Sequence, residues 1–154
     1  MSLPVSRRAR GITLIELLVA VAIIAILSAV VFPNYSRYQL RSYRAQVFTD
    51  LASCALAAER VRTNTFSYVT INNAGVPAAD VCPTRSPADA TADIDARYLI
   101  TVTAADATTF TLRATPINGQ VDDGMLEVDA SGARRWDKNH DNDFGEAGET
   151  NWDE

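Results

Sequence analysis

Asp137, Asn139, Asp141 and Asp143 put oxygen side chains at alternate positions, with Glu146 and Glu149 downstream. Calcium loops present hard oxygen ligands in this way, so the pattern points to a Ca²⁺ site formed by Asp137, Asn139, Asp141, Asp143 and Glu149. Two positions depart from the EF-hand pattern: Asn142 replaces the glycine expected at the sixth place, and Gly148 takes the twelfth, leaving Glu149 one residue late. The alternative is a solvated acidic tail. Zinc at His140 is disfavoured, because the chain has no second histidine and no nearby cysteine. No serine, cysteine or glycine-rich arrangement supplies a catalytic context, and the two cysteines lack CxxC spacing, so the chain does not read as an enzyme.

A different chemistry is set up near the N-terminus. Glu16 is the single charged side chain in residues 12–32, where Thr13 and Ser28 are the only other polar residues among 21. A charge in such a segment costs on the order of 3 kcal/mol at a bilayer centre and less near the interface. As a helix the segment measures roughly 31 Å, the thickness of a bilayer's hydrocarbon. Arg7, Arg8 and Arg10 precede it with no acidic residue, which keeps that end cytoplasmic and the remainder outside. An ordinary secretory signal would be cut after the apolar stretch, near Ser28 and Ala29. No A-x-A pattern sits there, and Gly11 marks the opposite edge.

The run Gly11-Ile12-Thr13-Leu14-Ile15-Glu16-Leu17-Leu18-Val19-Ala20 resembles the prepilin motif of type IV pilins and of type II secretion pseudopilins. The resemblance implies that a prepilin peptidase cuts after Gly11 and that the new amine, on Ile12, is N-methylated. Ile12 stands where phenylalanine is commoner. Four residues separate Ile12 from Glu16, so amine and carboxylate share a helix face. The family implies that Glu16 neutralises the amine of a neighbouring subunit as the helix passes from membrane to filament core. Such a buried pair sets register more than it adds stability. The plainer reading is an interfacial carboxylate that snorkels.

The helix is expected over residues 12–62, with residues 12–32 in the membrane or filament core and a kink at Pro33. Val47, Leu51, Ala55, Ala58 and Val61 recur at helical spacing and should pack on a head. Arg37, Arg41 and Arg44 fall on another face, which could meet acidic groups of neighbouring subunits, lipid headgroups or a polyanion, or be solvated. Residues 63–97 read as a loop with one short strand near 66–71. Segments 98–103, 109–115, 125–129 and Arg134 to Trp136 read as an antiparallel meander. The expected class is therefore α+β, and by resemblance the type IV pilin fold, a long helix on a four-stranded antiparallel sheet. Residues 1–11 are the leader and 63–154 the head.

Cys54 and Cys82 are the only cysteines, and an oxidising periplasm favours a bridge between them. The alternative leaves Cys54 as a small core residue. The resemblance is nearest to a minor pilin that joins or primes a type IV pilus, with roles in adhesion, twitching motility or DNA uptake. A type II secretion pseudopilin is the alternative, and pseudopilins bind calcium near their C-termini. Implied partners are other pilin subunits, the prepilin peptidase, the pilus assembly platform and inner-membrane lipid. The implied location is a single-pass inner-membrane protein with a periplasmic head, then an extracellular pilus. DNA is disfavoured by charge: without the leader's three arginines, 11 of the 14 basic residues face 19 acidic ones.

Overall fold

The computed structural model describes residues 12–152, apart from the side chains of residues 30, 33 and 34. The expected leader and Gly11 lie outside the described residues. The chain divides into two compact units, Met1–Tyr38 and Gln39–Glu154, and one helix of 52 residues, α1 (Leu14–Thr65), contributes to both. Leucine, alanine and other good helix formers dominate it, with no glycine to interrupt them. Pro33 does not end it.

In the second unit α1 buries Val47, Leu51, Cys54 and Ala58, spaced four, three and four residues apart. This stripe differs by a small rotation from the expected one: Cys54 lies at its centre, while Ala55 and Val61 are only partly buried. After α1 comes a 3-10 turn, Val69–Ile71, where a strand was expected. The strands begin just beyond it, as a small antiparallel hairpin of β1 (Asn72–Asn73) and β2 (Val76–Pro77). Its reversal uses Ala74 at φ 54° and Gly75 at φ 89°, and Asn72 Oδ1 accepts a hydrogen bond from the Gly75 amide at 2.8 Å.

The main sheet is antiparallel and ordered β3-β4-β5-β6-β7, from β3 (Arg85–Ser86), β4 (Tyr98–Ala105), β5 (Phe110–Pro116), β6 (Leu126–Asp129) and β7 (Arg134–Trp136). It has five strands where four were expected. The added strand, β3, is two residues long and lies between Pro83 and Pro87, which mask it in the sequence. Two links to α1 hold its surroundings in place. The buried Ser86 hydroxyl donates to Asp50 on the helix, and Cys82 is disulfide-bonded to Cys54 with the Cα atoms 5.0 Å apart.

Alternation decides which face is covered. Tyr98, Ile100 and Val102 of β4, Phe110, Leu112 and Ala114 of β5, and Leu126 and Val128 of β6 join Val47, Leu51, Cys54 and Ala58 in one apolar cluster. Register aligns them, since Leu112 pairs with Val102 on one side and Val128 on the other.

Replacing both cysteines, C54A/C82A, should lower the unfolding free energy of the mature chain by about 3 to 4 kcal/mol, because the bridge restricts the unfolded chain. Chemical denaturation in detergent measures it, and a change below about 1 kcal/mol would show that the bridge adds little. Leu51→Ala should cost roughly 2 to 5 kcal/mol in the same assay.

Candidate functional site

The first turn of α1 is built by Thr13 and Glu16. The Thr13 amide donates to Glu16 Oε2 at 3.4 Å, and the Glu16 amide donates to Thr13 Oγ1 at 3.3 Å. This is a reciprocal capping box, which satisfies two of the donors that a helix start leaves without partners and sets a carboxylate at the positive end of the helix dipole. The Thr-x-x-Glu spacing carries this cap in the sequence, beside the pairing of Glu16 with the Ile12 amine that the prepilin motif implies. The carboxylate is thus held within one turn of Ile12, which is 78 % exposed.

Beyond the cap the helix is apolar around its circumference. Ile15 is 70 % exposed, and Leu17, Leu18, Ile23, Ile24, Leu27 and Phe32 are exposed with it. A surface of this kind needs lipid or other helices around it. Among the described residues no helix is long and apolar enough to cross a membrane. The spanning reading of residues 12–32 rests on the sequence.

In the second unit a buried polar network joins the helix to the sheet. Arg44 Nε lies 3.1 and 3.0 Å from the two carboxylate oxygens of Asp123, and Nη2 pairs with Oδ1. The Tyr98 hydroxyl donates to the same carboxylate. Gln120 Nε2 donates to Tyr98 at 3.1 Å, to Asp123 at 3.1 Å and to the Leu40 carbonyl at 3.0 Å. Trp136 Nε1 donates to the Asp123 carbonyl at 2.7 Å, and the Arg44 guanidinium lies 4.0 Å from that ring's centroid. Burial, then the hydrogen bond to Asp123, pushes the Tyr98 hydroxyl well above the usual tyrosine range. Arg44 therefore does not share the exposed face assigned to it with Arg37 and Arg41. The partners are 79 residues apart, and no local pattern reveals them.

The acidic end is divided by burial. Asp137 is 1 % and Glu149 3 % exposed, whereas Asn139, Asp141 and Asp143 are exposed. The Asn142 amide donates to Asp137 Oδ2 and the Lys138 amide to Glu149 Oε1, each at 3.2 Å. Gly124, at φ 81°, admits this end of the chain, since a Cβ there would lie 1.9 Å from the Asp137 carbonyl oxygen. Among the described residues no group of three or more histidine, cysteine, aspartate or glutamate side chains is gathered to hold a metal ion.

A long helix with an apolar, capped first half, followed by a disulfide-tied antiparallel sheet on its second half, defines a type IV pilin. Residues 6–32 match the prokaryotic N-terminal methylation motif. Residues 33–126 match the family described as "Type IV minor pilin ComP, DNA uptake sequence receptor", and the chain belongs to that family. It is also 50 % identical over 44 residues to "Type IV major pilin protein PilA" of Myxococcus xanthus, a stretch covering 29 % of this chain. The match spans 20 % of that relative's length.

Arg44→Ala leaves Asp123 buried without its cation and should destabilise the protein by roughly 3 to 5 kcal/mol. The Tyr98 hydroxyl titrates higher in the folded chain than in the unfolded one. Its contribution is therefore complete below about pH 10 and is lost as pH rises beyond that value. Tyr98→Phe should flatten this alkaline fall in denaturation curves; an unchanged fall would show that other groups cause it.

Proposed function

We propose that this chain is a subunit of a type IV pilus, made with leader 1–11, cut after Gly11 and methylated on Ile12. The apolar half of α1 holds it in the inner membrane with the head in the periplasm. An assembly platform then draws it into the filament, where it is incorporated or primes growth. The observation that carries this reading is an apolar helix surface, exposed in the single chain, directly behind a capped carboxylate and the methylation motif. In the membrane lipid covers that surface, and in a filament neighbouring helices replace the lipid. Glu16 is then placed to meet the Ile12 amine of the next subunit, exchanging its bond to the Thr13 amide for a charged partner.

The description of the matched family supports a second activity, capture of DNA by the head. Charge narrows how this can work. Arg85 pairs with Asp93, Arg113 with Glu127, and Arg135 with Asp129 and Glu127. Phosphates would have to draw these guanidinium groups from carboxylates, which leaves Arg97 and Arg134, lying over the Tyr43 and Trp152 rings, as the head's readier phosphate contacts. Gel-shift titration of the mature chain in detergent tests it. Binding of duplex DNA that weakens as salt rises agrees with the reading, and salt-insensitive binding, or absence of binding at about 50 mM salt, removes it.

The N-terminus and mass of the protein should be determined from sheared surface filaments and from membranes of the same cells. A methylated Ile12 in the filament fraction is the expected result. Mature protein found in membranes alone would favour a secretion pseudopilin. An intact Met1, or a cut near Ser28, would contradict the processing reading.

A further inference from the structure

Two carboxylates at the end of the head each bury an oxygen that nothing satisfies. Asp137 Oδ1 and Glu149 Oε2 are inaccessible to solvent and have no hydrogen-bond partner among the described residues. Both residues are fixed through the main chain: the Asp137 amide donates to the Met125 carbonyl and the Glu149 carbonyl accepts from the Trp136 amide, each at 2.9 Å. These bonds hold the main chain of both residues at the end of the sheet and so keep their side chains at the base of one loop. A buried, unpartnered carboxylate oxygen is costly, and two at the base of one loop raise that cost together. A cation bound between them relieves it.

We infer that residues 137–149 form a calcium-binding loop whose base is already made by Asp137 and Glu149. The second oxygen of each carboxylate faces into the loop, Asp137 toward the Asn142 amide and Glu149 toward the Lys138 amide. Between them the chain coils tightly, with Asp141 N on Asn139 Oδ1 at 3.1 Å and Asp143 N on Asp141 Oδ1 at 2.8 Å. Among the described residues three acidic side chains are not gathered around one point, so the buried pair is the preformed half. The exposed Asp141 and Asp143 carboxylates and the Asn139 amide oxygen close on the ion.

The chemistry selects the metal. Oxygen ligands in a deformable loop suit Ca²⁺, which takes six to eight of them at loose angles, better than Mg²⁺, which requires a near-ideal octahedron. The two departures from the EF-hand pattern also have structural answers. Asn142 has φ 66°, a left-handed conformation that asparagine tolerates, so it makes the turn that glycine otherwise makes. Gly148 has φ 96° and reverses the chain one residue before Glu149, bringing the late carboxylate back to the base.

The site would hold more than itself. Glu149 leads to Trp152, whose ring stacks on Phe48 of α1 with centroids 4.9 Å apart and whose Nε1 donates to the Arg135 carbonyl at 3.1 Å. Calcium bound at 137–149 therefore fastens the C-terminal segment to the helix, in a region that the Cys54–Cys82 bridge does not reach.

The test uses the mature full-length chain in detergent, freed of metal by a chelator and titrated with Ca²⁺ or Mg²⁺ while heat and melting temperature are followed. One Ca²⁺ should bind per chain with a dissociation constant on the order of 10⁻⁴ M and raise the melting temperature, with Mg²⁺ much weaker. Asp143→Asn, on the exposed loop, should weaken Ca²⁺ about tenfold and leave the metal-free melting temperature unchanged. Glu149→Gln should abolish the calcium effect and melt at or above the wild-type temperature without metal, because it replaces a carboxylate whose Oε2 is buried without a partner while the remaining oxygen can still accept from the Lys138 amide. The proposal is overturned by absence of heat and melting shift at about 10 mM Ca²⁺, by equal responses to the two metals, or by responses that both variants retain.

Discussion

An apolar surface surrounds the first half of α1 and cannot be buried by this chain alone. Each Å² of it left in water costs about 25 cal/mol, so the segment has to sit among lipid tails or among other helices. Exchange between those two surroundings is nearly neutral for the hydrocarbon, since lipid is as apolar as leucine. Selection between them must come from polar groups. Glu16 is the charged side chain available in the segment, and the capping box keeps its carboxylate at the helix start, where neither lipid nor filament core forces it to lie unpartnered.

The second half of α1 has the opposite task. It is covered by its own sheet and fixed by three different kinds of link: the apolar stripe from Val47 to Ala58, the Cys54–Cys82 bridge, and the buried Arg44–Asp123 pair with Tyr98 and Gln120 around it. The ion pair determines position as well as energy. Asp123 holds helix, β4 and the Trp136 side chain to one carboxylate or its carbonyl, so a small slide of any of them leaves a buried charge unsatisfied.

What the sequence disclosed follows from the range of the interactions. The apolar segment, the Gly11 to Glu16 motif and the alternation in β4, β5 and β6 are local patterns and were readable. The Thr13–Glu16 cap is equally local, a Thr-x-x-Glu spacing within one turn. β3 was hidden, since two residues between prolines carry no strand signal and their place is set by Asp50 on α1, 36 residues away. The role of Arg44 is hidden for the same reason, its partner lying in a 3-10 turn, Asn118–Asp123, late in the chain. At the acidic end the alternation of oxygens was visible, but the burial of Asp137 and Glu149 was not, because it arises from the approach of Met125 and Trp136.

Glu16 either acts between subunits, as proposed, or serves only as a helix cap. Glu16→Gln keeps a side chain able to serve the capping box and removes the charge. Its abundance in sheared filaments relative to membranes, with the mass of the membrane form, separates the two roles. The expected result is a variant that is cut before Ile12, accumulates in membranes and is depleted from filaments. Incorporation at the wild-type ratio would contradict the account and reduce Glu16 to a helix cap.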